Sequence, residues 1–346
     1  MKRGGRRILL VLLVAVLALT SCLPPPLPRV IKLGLVAPFE GRYRYIGYDA
    51  IYAARLAVRE INAAGGVGGY RLELVAYDDR GEPEAAVRAA HNLALDPTVM
   101  AVIGHYRPAT TAAALDVYAA AELPLITING WLTETRGVAW QLSPHAARWA
   151  AAAIGVTRGA PSEAALWGED SLAAALAVYG ATDTADTLPE VIFSTLPPVS
   201  TAARLRGTAW SGVLVGGPAL LSAEWAALAG DALAATHVIT PYPLPTDIPG
   251  TEAWRAAYQA VGPHVPEPGL YALPTYEAIY LLAEALTADV AARRTPTRAG
   301  LLAVLPETRR AGWLGEIVWT QDCWATAPLY HYAWDAAAPR LAPLLE

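Results

Sequence analysis

The side chains that most often carry covalent or metal chemistry are few in this sequence and lie far apart along it. The lysines are Lys2 and Lys32, and neither lies in the Gly-rich setting of a phosphate-binding loop. Neither a nucleophile elbow nor a His-Glu-x-x-His zinc pattern is present. Four histidines are isolated in the sequence and lack the spacing of metal ligands: His91, His145, His237 and His331. We therefore expect no catalytic residue, no metal and no cofactor, and a binding protein rather than an enzyme.

The amino terminus has the pattern of an export signal. Basic residues precede an apolar run from Ile8 to Leu19, about a dozen residues against the roughly 20 that a membrane-spanning helix needs. The run ends in Leu-Thr-Ser-Cys, which resembles the lipobox of bacterial lipoproteins and implies cleavage after residues 1–21 and lipid attachment to Cys22. The alternative is an ordinary cysteine beside an ordinary signal peptide. Residues 22–29 then form a Pro-rich tether.

Composition predicts a large, well-packed chain. Its 346 residues are 54% hydrophobic and 16% charged, enough apolar material for two lobes of ordinary domain size. The net charge is -5 and the basic residues are scattered, so nucleic acid is not an expected partner. With Cys22 acylated, Cys323 has no disulfide partner, and we expect an inert thiol there.

Short apolar runs alternate with amphipathic stretches from Val30 onward, which is typical of a parallel sheet covered by helices on both faces. In the first half of the chain the predicted strands are 31–37, 71–77, 99–104 and 124–128, and the predicted helices 48–64, 83–95 and 110–121. After Gln141 the alternation restarts less regularly and indicates a second lobe. There the predicted strands are 164–167, 191–195 and 212–215, and the predicted helices 146–154, 171–179, 222–230, 254–261 and 276–287.

Five stretches together resemble the type I periplasmic binding proteins for leucine, isoleucine and valine, over nearly the whole mature chain. They are Ile31–Pro38 with Gly41 and Gly47, Ala57–Gly66, Leu72–Val75 before Asp78-Asp79, Val102–His105, and Tyr276–Leu286. The resemblance implies an α/β fold with two doubly wound lobes joined by three crossovers, here with a reduced second lobe. It also implies closure on a small ligand, delivery to the permease subunits of an ABC importer, and a place outside the cytoplasm.

The resemblance also implies where the lobes divide. We expect lobe 1 to comprise 30–142 and 245–326, and lobe 2 to comprise 143–244 and 327–346. The crossovers are expected at 141–145, 240–244 and 325–330. With a lipidated Cys22, the protein would be anchored to the outer face of the cytoplasmic membrane or held in the periplasm.

In the family, small hydroxyl residues and backbone N–H groups at the helix start after the third strand bind a ligand carboxylate. Here that loop reads His105-Tyr106-Arg107-Pro108, followed by Thr110, so a proline stands at the expected serine position. Thr110 could replace the missing hydroxyl. Arg107 could pair with an acidic group, although a solvated arginine is the alternative. We include His105, Tyr106, Arg107 and Thr110 in the expected site.

Aromatic residues dominate the other loops that the resemblance brings to the cleft. Asn129 and Trp131 follow the fourth strand, and the Trp131 indole could cover an apolar or ring-shaped ligand. Tyr43 and Tyr45 follow the first strand, with surface or hinge positions as the alternative.

The second lobe departs further from the family. Relatives have about two dozen more residues after Gly216-Gly217, including the acidic residue for a ligand ammonium group. Trp167 stands where relatives place a ligand-facing tyrosine. Glu169 or Asp170 could meet a cation, with helix capping as the alternative. The sequence thus leaves two functions open: a transport receptor for an amino acid, amide or related apolar or aromatic solute, or a lipoprotein that reuses the fold to sense a ligand or contact an envelope partner.

Overall fold

The computed structural model describes residues 29–129, 131–157, 164–168, 171–180, 188–335 and 338–344. The predicted signal peptide, the lipidation residue Cys22 and the tether up to residue 28 lie outside the described residues, as does Glu169. Within the described ranges, no helix combines the length and the apolar character needed to cross a membrane.

A five-stranded sheet forms the centre of the first half of the fold. Its strands are β1 (Arg29–Ala37), β2 (Tyr70–Asp78), β3 (Val99–Ile103), β4 (Leu125–Thr127) and β5 (Ala139–Gln141). They lie in the order β2-β1-β3-β4-β5, and every neighbouring pair is parallel. Leu33 and Leu35 pack on one face of β1 and Val36 on the other. This burial on both faces is what a parallel sheet covered by helices requires.

A six-stranded sheet forms the centre of the second half. The remaining strands are β6 (Ala164–Trp167), β7 (Val191–Ser194), β8 (Val213–Gly216), β9 (Thr236–Thr240), the ribbon pair β10 (Arg310–Gly312) and β11 (Gly315–Ile317), β12 (Tyr330–Trp334) and β13 (Pro339–Ala342). The sheet order is β13-β12-β9-β8-β7-β6. β6 to β9 are parallel, whereas β12 and β13 extend the sheet antiparallel, so the carboxyl-terminal segment completes it as a hairpin.

Helices cover both faces of the sheets. They are α1 (Arg44–Ala63), α2 (Pro83–Leu95), α3 (Pro108–Ala120), α4 (Ala146–Val156), α5 (Ser171–Ala177), α6 (Pro198–Leu205), α7 (Ala223–Leu228), α8 (Glu252–Gln259), α9 (Ala272–Arg293) and α10 (Arg298–Val304). Short 3-10 turns lie at Pro218–Leu221, Gly230–Ala235, Pro245–Asp247 and Leu305–Glu307. α1 packs against α9, and α2 packs against α3. The helices α2, α3 and α6 each begin with proline, which has no N–H to leave unpaired at a first helical turn.

The chain passes between the two sheets at 142–145, 241–244 and 325–329, and the first and third of these connections lie side by side. Gln141 N–H donates to Cys323 O at 2.9 Å, and Ala325 N–H donates to Gln141 O at 2.8 Å. The His145 ring packs edge-on against the Trp324 indole, with 4.8 Å between ring centroids. Backbone hydrogen bonds and an aromatic pair therefore tie the first connection to the third.

Two buried or half-buried arginines hold elements of the first half together. The Arg298 guanidinium makes five hydrogen bonds to four backbone carbonyls, those of Ala94, Asp96, Val99 and Ala121. These carbonyls lie at or just beyond the ends of α2 and α3 and at the start of β3. Arg310 pairs with the fully buried Glu277 of α9, which also accepts the Trp313 N–H at 2.8 Å. Each arginine thus satisfies acceptors that packing removes from water.

Candidate functional site

A cleft of about 660 Å³, part of which is open solvent, lies between the two sheets, and both halves of the fold line it. The first half contributes Tyr43, Tyr45, Ile46, Tyr106, Arg107, Pro108, Asn129, Trp131 and Tyr271; the second contributes Leu172, Ser194, Thr195, Leu196, Pro197, Gly217, Pro218, Ala219 and Leu220. Most of these residues follow the carboxyl ends of β1, β3, β4, β7 and β8. That is the edge at which open α/β sheets bind ligands.

Arg107 is the charged side chain in the described lining of this cleft. Its Nη1 donates to the Gly81 carbonyl oxygen at 2.6 Å, and its guanidinium carbon lies 4.0 Å from the centroid of the Tyr43 ring. Gly81 has a φ of +71°, and a Cβ there would come within 2.6 Å of Tyr43 Cδ2. Glycine at this position therefore allows the close stack of Tyr43 on Arg107. The stack fixes the guanidinium at the cleft wall.

Tyr106 and Tyr271 lie together in the wall that the first half contributes to the cleft. Their rings pack edge to face with 5.9 Å between centroids. Thr275 Oγ1 donates to the Tyr271 carbonyl at 2.7 Å, so Tyr106 Oη donates to Thr275 Oγ1, also at 2.7 Å. Gly104, just before this loop, has a φ of +134°, and a Cβ there would come within 2.2 Å of the Val36 carbonyl oxygen. The close approach to β1 turns the chain so that Tyr106 reaches the cleft.

The hydroxyls of Tyr45 and Tyr271 hydrogen-bond to no other described residue. Burial is the main cause that raises the pKa of the Tyr45 phenol, and burial also raises that of Tyr271 well above the ordinary tyrosine value, while the Arg107 charge lowers both slightly. Both phenols therefore stay protonated at neutral pH and can donate to a ligand acceptor.

Trp131 and Asn129 connect the loop after β4 to the rest of the cleft. Trp131 Nε1 donates to Asn129 Oδ1, and Asn129 Nδ2 donates to the Tyr106 carbonyl at 3.4 Å. The Trp131 side chain is only 2% exposed and packs in the same apolar cluster as Trp149 and Leu172 of the second half. A single indole thus lines the cleft and contacts both halves of the fold.

The wall from the second half is uncharged in its described part. Ser194 Oγ and Thr201 Oγ1 are hydrogen-bonded to each other at 2.8 Å. Thr195 Oγ1 is buried and has no hydrogen-bond partner among the described residues. Leucine, proline, alanine and glycine supply the rest of this wall. It therefore offers apolar surface and hydroxyl groups to a ligand.

Three residues that the sequence predicts in the site have side chains elsewhere. His105 is fully buried behind the loop, with Nδ1 2.6 Å from Asp79 Oδ2 and Nε2 3.0 Å from Tyr118 Oη. Thr110 is buried in the first turn of α3, where its hydroxyl donates to the Arg107 carbonyl at 3.0 Å. Trp167 packs in the second-half core beneath Arg204. Polar partners hold the first two away from the cleft, and apolar packing holds the third.

The sequence reasoning missed Tyr271, the segment 194–197 and the segment 217–220. Both segments lie at or just beyond the carboxyl ends of predicted strands, so the rule that ligands bind at carboxyl strand ends could have found them. Tyr271 lies one residue before α9, five residues ahead of the helix start predicted at Tyr276. The remaining predicted residues, Tyr43, Tyr45, Tyr106, Arg107, Asn129 and Trp131, all lie in the cleft lining.

A second cavity adjoins the cleft and shares Tyr45, Pro218 and Tyr271 with it. It contains two carboxyl groups, those of Asp49 and Glu224. Glu224 Oε1 accepts from Arg42 Nε at 3.1 Å and from Arg42 Nη2 at 3.0 Å, an ion pair that joins the two halves. Asp49 accepts the backbone N–H groups of Gly269 at 3.0 Å and of Tyr271 at 3.2 Å. Burial raises the pKa of the Asp49 carboxyl to about 7 despite these donors.

In the part of the chain that the structure describes, no group of three or more histidine, cysteine or acidic side chains has an arrangement that could hold a metal ion.

A family model described as periplasmic binding protein matches residues 30–188 and 185–339. The Leu/Ile/Val-binding protein of Escherichia coli strain K12 is 32% identical over 130 residues, which are 34% of this chain and 35% of that protein. The aligned part of this chain thus spans only about a third of the length of that curated relative.

Two solved structures share the fold at low sequence identity. The branched-chain amino acid transporter substrate-binding protein LivJ of Streptococcus pneumoniae, in complex with isoleucine, aligns with a TM-score of 0.74 at 20% identity, covering 91% of this chain and 99% of that one. A solute-binding protein of an ABC transporter from R. palustris, in complex with benzoate, aligns with a TM-score of 0.70 at 17% identity, covering 91% and 96%. At these identities the likeness shows the fold, two α/β halves built on largely parallel sheets.

Proposed function

Because the chain belongs to the periplasmic binding protein family, we propose that it captures a small solute outside the cytoplasm and delivers it to the permease subunits of an ABC importer. The observation that carries this proposal is the cleft between the two sheets, which is lined from both halves by strand-end loops. A ligand that bridges both walls favours the closed arrangement of such a protein. No enzymatic step is part of the proposed function.

The proposed lobes are 30–142 with 245–326 and 143–244 with 327–346, and the three connections between the sheets act as the hinge. The Arg42–Glu224 ion pair supports this arrangement because it joins a loop of one lobe to α7 of the other across the cleft mouth. Opening the cleft would have to break that pair, while the hydrogen bonds around Gln141 lie in the hinge itself.

The proposed ligand is a small solute with an apolar or aromatic body. Tyrosine and tryptophan rings on one wall and leucine and proline side chains on the other support this class, because such surfaces contact apolar groups well. Relatives are named for leucine, isoleucine and valine, and two structural neighbours were solved with isoleucine and with benzoate. These ligands are small solutes with an apolar or aromatic body.

The proposed location is the outside of the cytoplasmic membrane, with a lipid anchor on Cys22. Family membership supports export, and the Leu-Thr-Ser-Cys sequence supports the anchor. A Cys22→Ser variant should lose its association with membranes after cell fractionation while the wild-type protein keeps it. A variant that stays in the membrane fraction would contradict lipidation at this cysteine.

A thermal-shift screen of the purified protein tests the transport function. The panel comprises aliphatic amino acids, aromatic acids, amides, nucleosides and short peptides. A ligand present at about a hundred times its dissociation constant should stabilise the folded protein by roughly 2.7 kcal/mol, a clear shift in melting temperature. No shift with any compound would contradict a solute-binding function.

A second candidate function is a lipoprotein that senses a ligand or contacts an envelope partner without transport. The short connection between β8 and β9 favours it, because it consists of two 3-10 turns and the six-residue helix α7. A smaller second lobe has less surface with which to enclose a solute. If no compound in the thermal-shift screen shifts the melting temperature, contact with an envelope partner is favoured over transport.

A further inference from the structure

We propose that the solute bound in the cleft is an organic anion: a carboxylate on an apolar or aromatic body, with no ammonium group beside it. This inference rests on the proposed solute-binding function and names the ligand class of the same site. Its basis is the charge distribution of the cleft lining. The described lining residues carry a positive charge at one end of the cleft and no charge elsewhere.

The positive end is the Arg107 guanidinium. Stacking on Tyr43 and a hydrogen bond to the Gly81 carbonyl hold it at the wall, and no carboxylate among the residues that the structure describes forms an ion pair with it. Arginine has five N–H donors in a planar fork, and the Gly81 bond uses one of them. The remaining donors are available to a planar anion such as a carboxylate.

Neutral donors lie close to this charge. The hydroxyls of Tyr45 and Tyr271 are protonated, and both phenols sense the Arg107 charge. Helix α3 begins at Pro108 directly after Arg107, and no side chain caps its amino terminus. Its first N–H groups, beginning at Ala109, therefore add positive potential on the same side of the cleft. All of these groups favour an anion at the same end of the cleft.

An ammonium group on the ligand would lack a counter-charge among the described lining residues. The two carboxyl groups of the adjoining cavity are already engaged: Glu224 with Arg42, and Asp49 with the N–H groups of Gly269 and Tyr271. The described part of the second-half wall carries Ala219 between Pro218 and Leu220, with no acidic side chain. Burying an unpaired cation beside Arg107 costs desolvation and adds repulsion.

The experiment compares ligands that differ only in charged groups. Isothermal titration calorimetry of the full-length protein in detergent would measure binding of 3-phenylpropionate, phenylalanine, 3-phenylpropanamide and 2-phenylethylamine. An aliphatic series would use 4-methylpentanoate, leucine, 4-methylpentanamide and 3-methylbutylamine. We expect each acid to bind roughly ten- to a hundred-fold more tightly than its amide, since charge-assisted hydrogen bonds are the strong ones. We expect a similar preference over its amino acid, because the ammonium group of the amino acid would be desolvated without a counter-charge. We expect the amines not to bind.

Variants assign the effect to Arg107. Arg107→Gln should weaken binding of the acid by roughly ten- to a hundred-fold and leave the amide nearly unchanged, whereas Arg107→Lys should retain part of the preference. Arg88→Gln, on the exposed face of α2, is the matched control and should change neither affinity. Melting temperatures of all variants check that the protein is folded.

The outcomes separate this inference from the proposed function. An amino acid that binds more tightly than its acid would overturn the inference and leave solute binding intact, and loss of that binding in a Glu169→Gln, Asp170→Asn variant would assign the ammonium to that segment. Acid binding that is unchanged in a folded Arg107→Gln variant would also overturn the inference. If no compound of either series and none of the screening panel binds, the solute-binding function itself fails.

Discussion

Asp49 gives this protein a pH-dependent stability that a single substitution should remove. Its carboxyl group is buried on the face of α1 that packs against the segment leading into α9, where it accepts the N–H groups of Gly269 and Tyr271. A Cβ on Gly269 would come within 2.5 Å of Asp49 Oδ2, so the contact is close. The carboxyl thereby helps to position Tyr271, which lines the cleft.

The magnitude follows from the pKa of this carboxyl in the folded and unfolded chains. Burial is the larger effect and raises the pKa from 3.8 to about 7, while the two backbone N–H groups lower it. Because the folded-state pKa is the higher one, the folded protein binds the proton more tightly than the unfolded chain. The resulting stability is fully present below about pH 4 and is lost as pH rises toward 7. The change corresponds to about 4 kcal/mol of unfolding free energy.

Asp49→Asn keeps the shape of the side chain and removes its titration. Urea unfolding followed by tryptophan fluorescence, repeated from pH 4 to pH 8, gives the unfolding free energy of both proteins. The difference in unfolding free energy between variant and wild type removes the contributions of the other titrating groups. As pH rises from 4 to 8, this difference should change by about 4 kcal/mol in favour of the variant. The exposed Asp116→Asn, on the surface of α3, is the control for the loss of a carboxyl group outside the core. Parallel pH profiles for Asp49→Asn and wild type would refute the reasoning.

Three further experiments, with substitutions at five residues, test the packing of the two halves. Arg298→Ala removes five hydrogen bonds to backbone carbonyls and should lower the unfolding free energy by about 2 kcal/mol, measured by urea unfolding; a loss below about 0.5 kcal/mol would contradict this role. A double-mutant cycle on Arg42 and Glu224, read as the ligand dissociation rate, should give a coupling of about two- to five-fold that shrinks at 1 M salt, because both side chains are about a third exposed. A coupling that salt leaves unchanged would argue against an exposed ion pair. Trp131→Ala should weaken ligand binding at least about tenfold, whereas Trp167→Ala should lower stability without a comparable loss of affinity; equal affinity losses in both would contradict the placement of Trp167 in the core.

Periodic sequence was sufficient to predict the main elements of the fold. The helix predicted at 83–95 is found at Pro83–Leu95. The proline marks where the helix starts, and apolar residues that recur on one face mark it as a helix. The predicted strand 31–37 lies within β1, since a fully buried parallel strand is a continuous apolar run. The expected α/β fold of the type I periplasmic binding proteins is confirmed by the family match and by the solved neighbours.

Short elements and chain-end strands escaped prediction. β5 has three residues, too few for an apolar pattern to stand out from its surroundings. β12 and β13 contain histidine, proline and arginine, and they become strands because each pairs antiparallel with a neighbour already in the sheet. Pairing partners distant in sequence decide such segments, so local pattern carries little information about them.

The sequence by itself determined the strand-end loops of the first half that border the cleft, and only the tertiary structure decided which of their side chains face it and which second-half segments complete the lining. His105 and Tyr106 are neighbours on one loop, yet the imidazole is buried against Asp79 and Tyr118 while the phenol ring lines the cleft. Sequence composition and residue spacing do not distinguish His105 from Tyr106. Their opposite directions follow from the backbone turn at Gly104 and from partners contributed by the loop after β2, by α3 and by α9, which only the folded chain brings together.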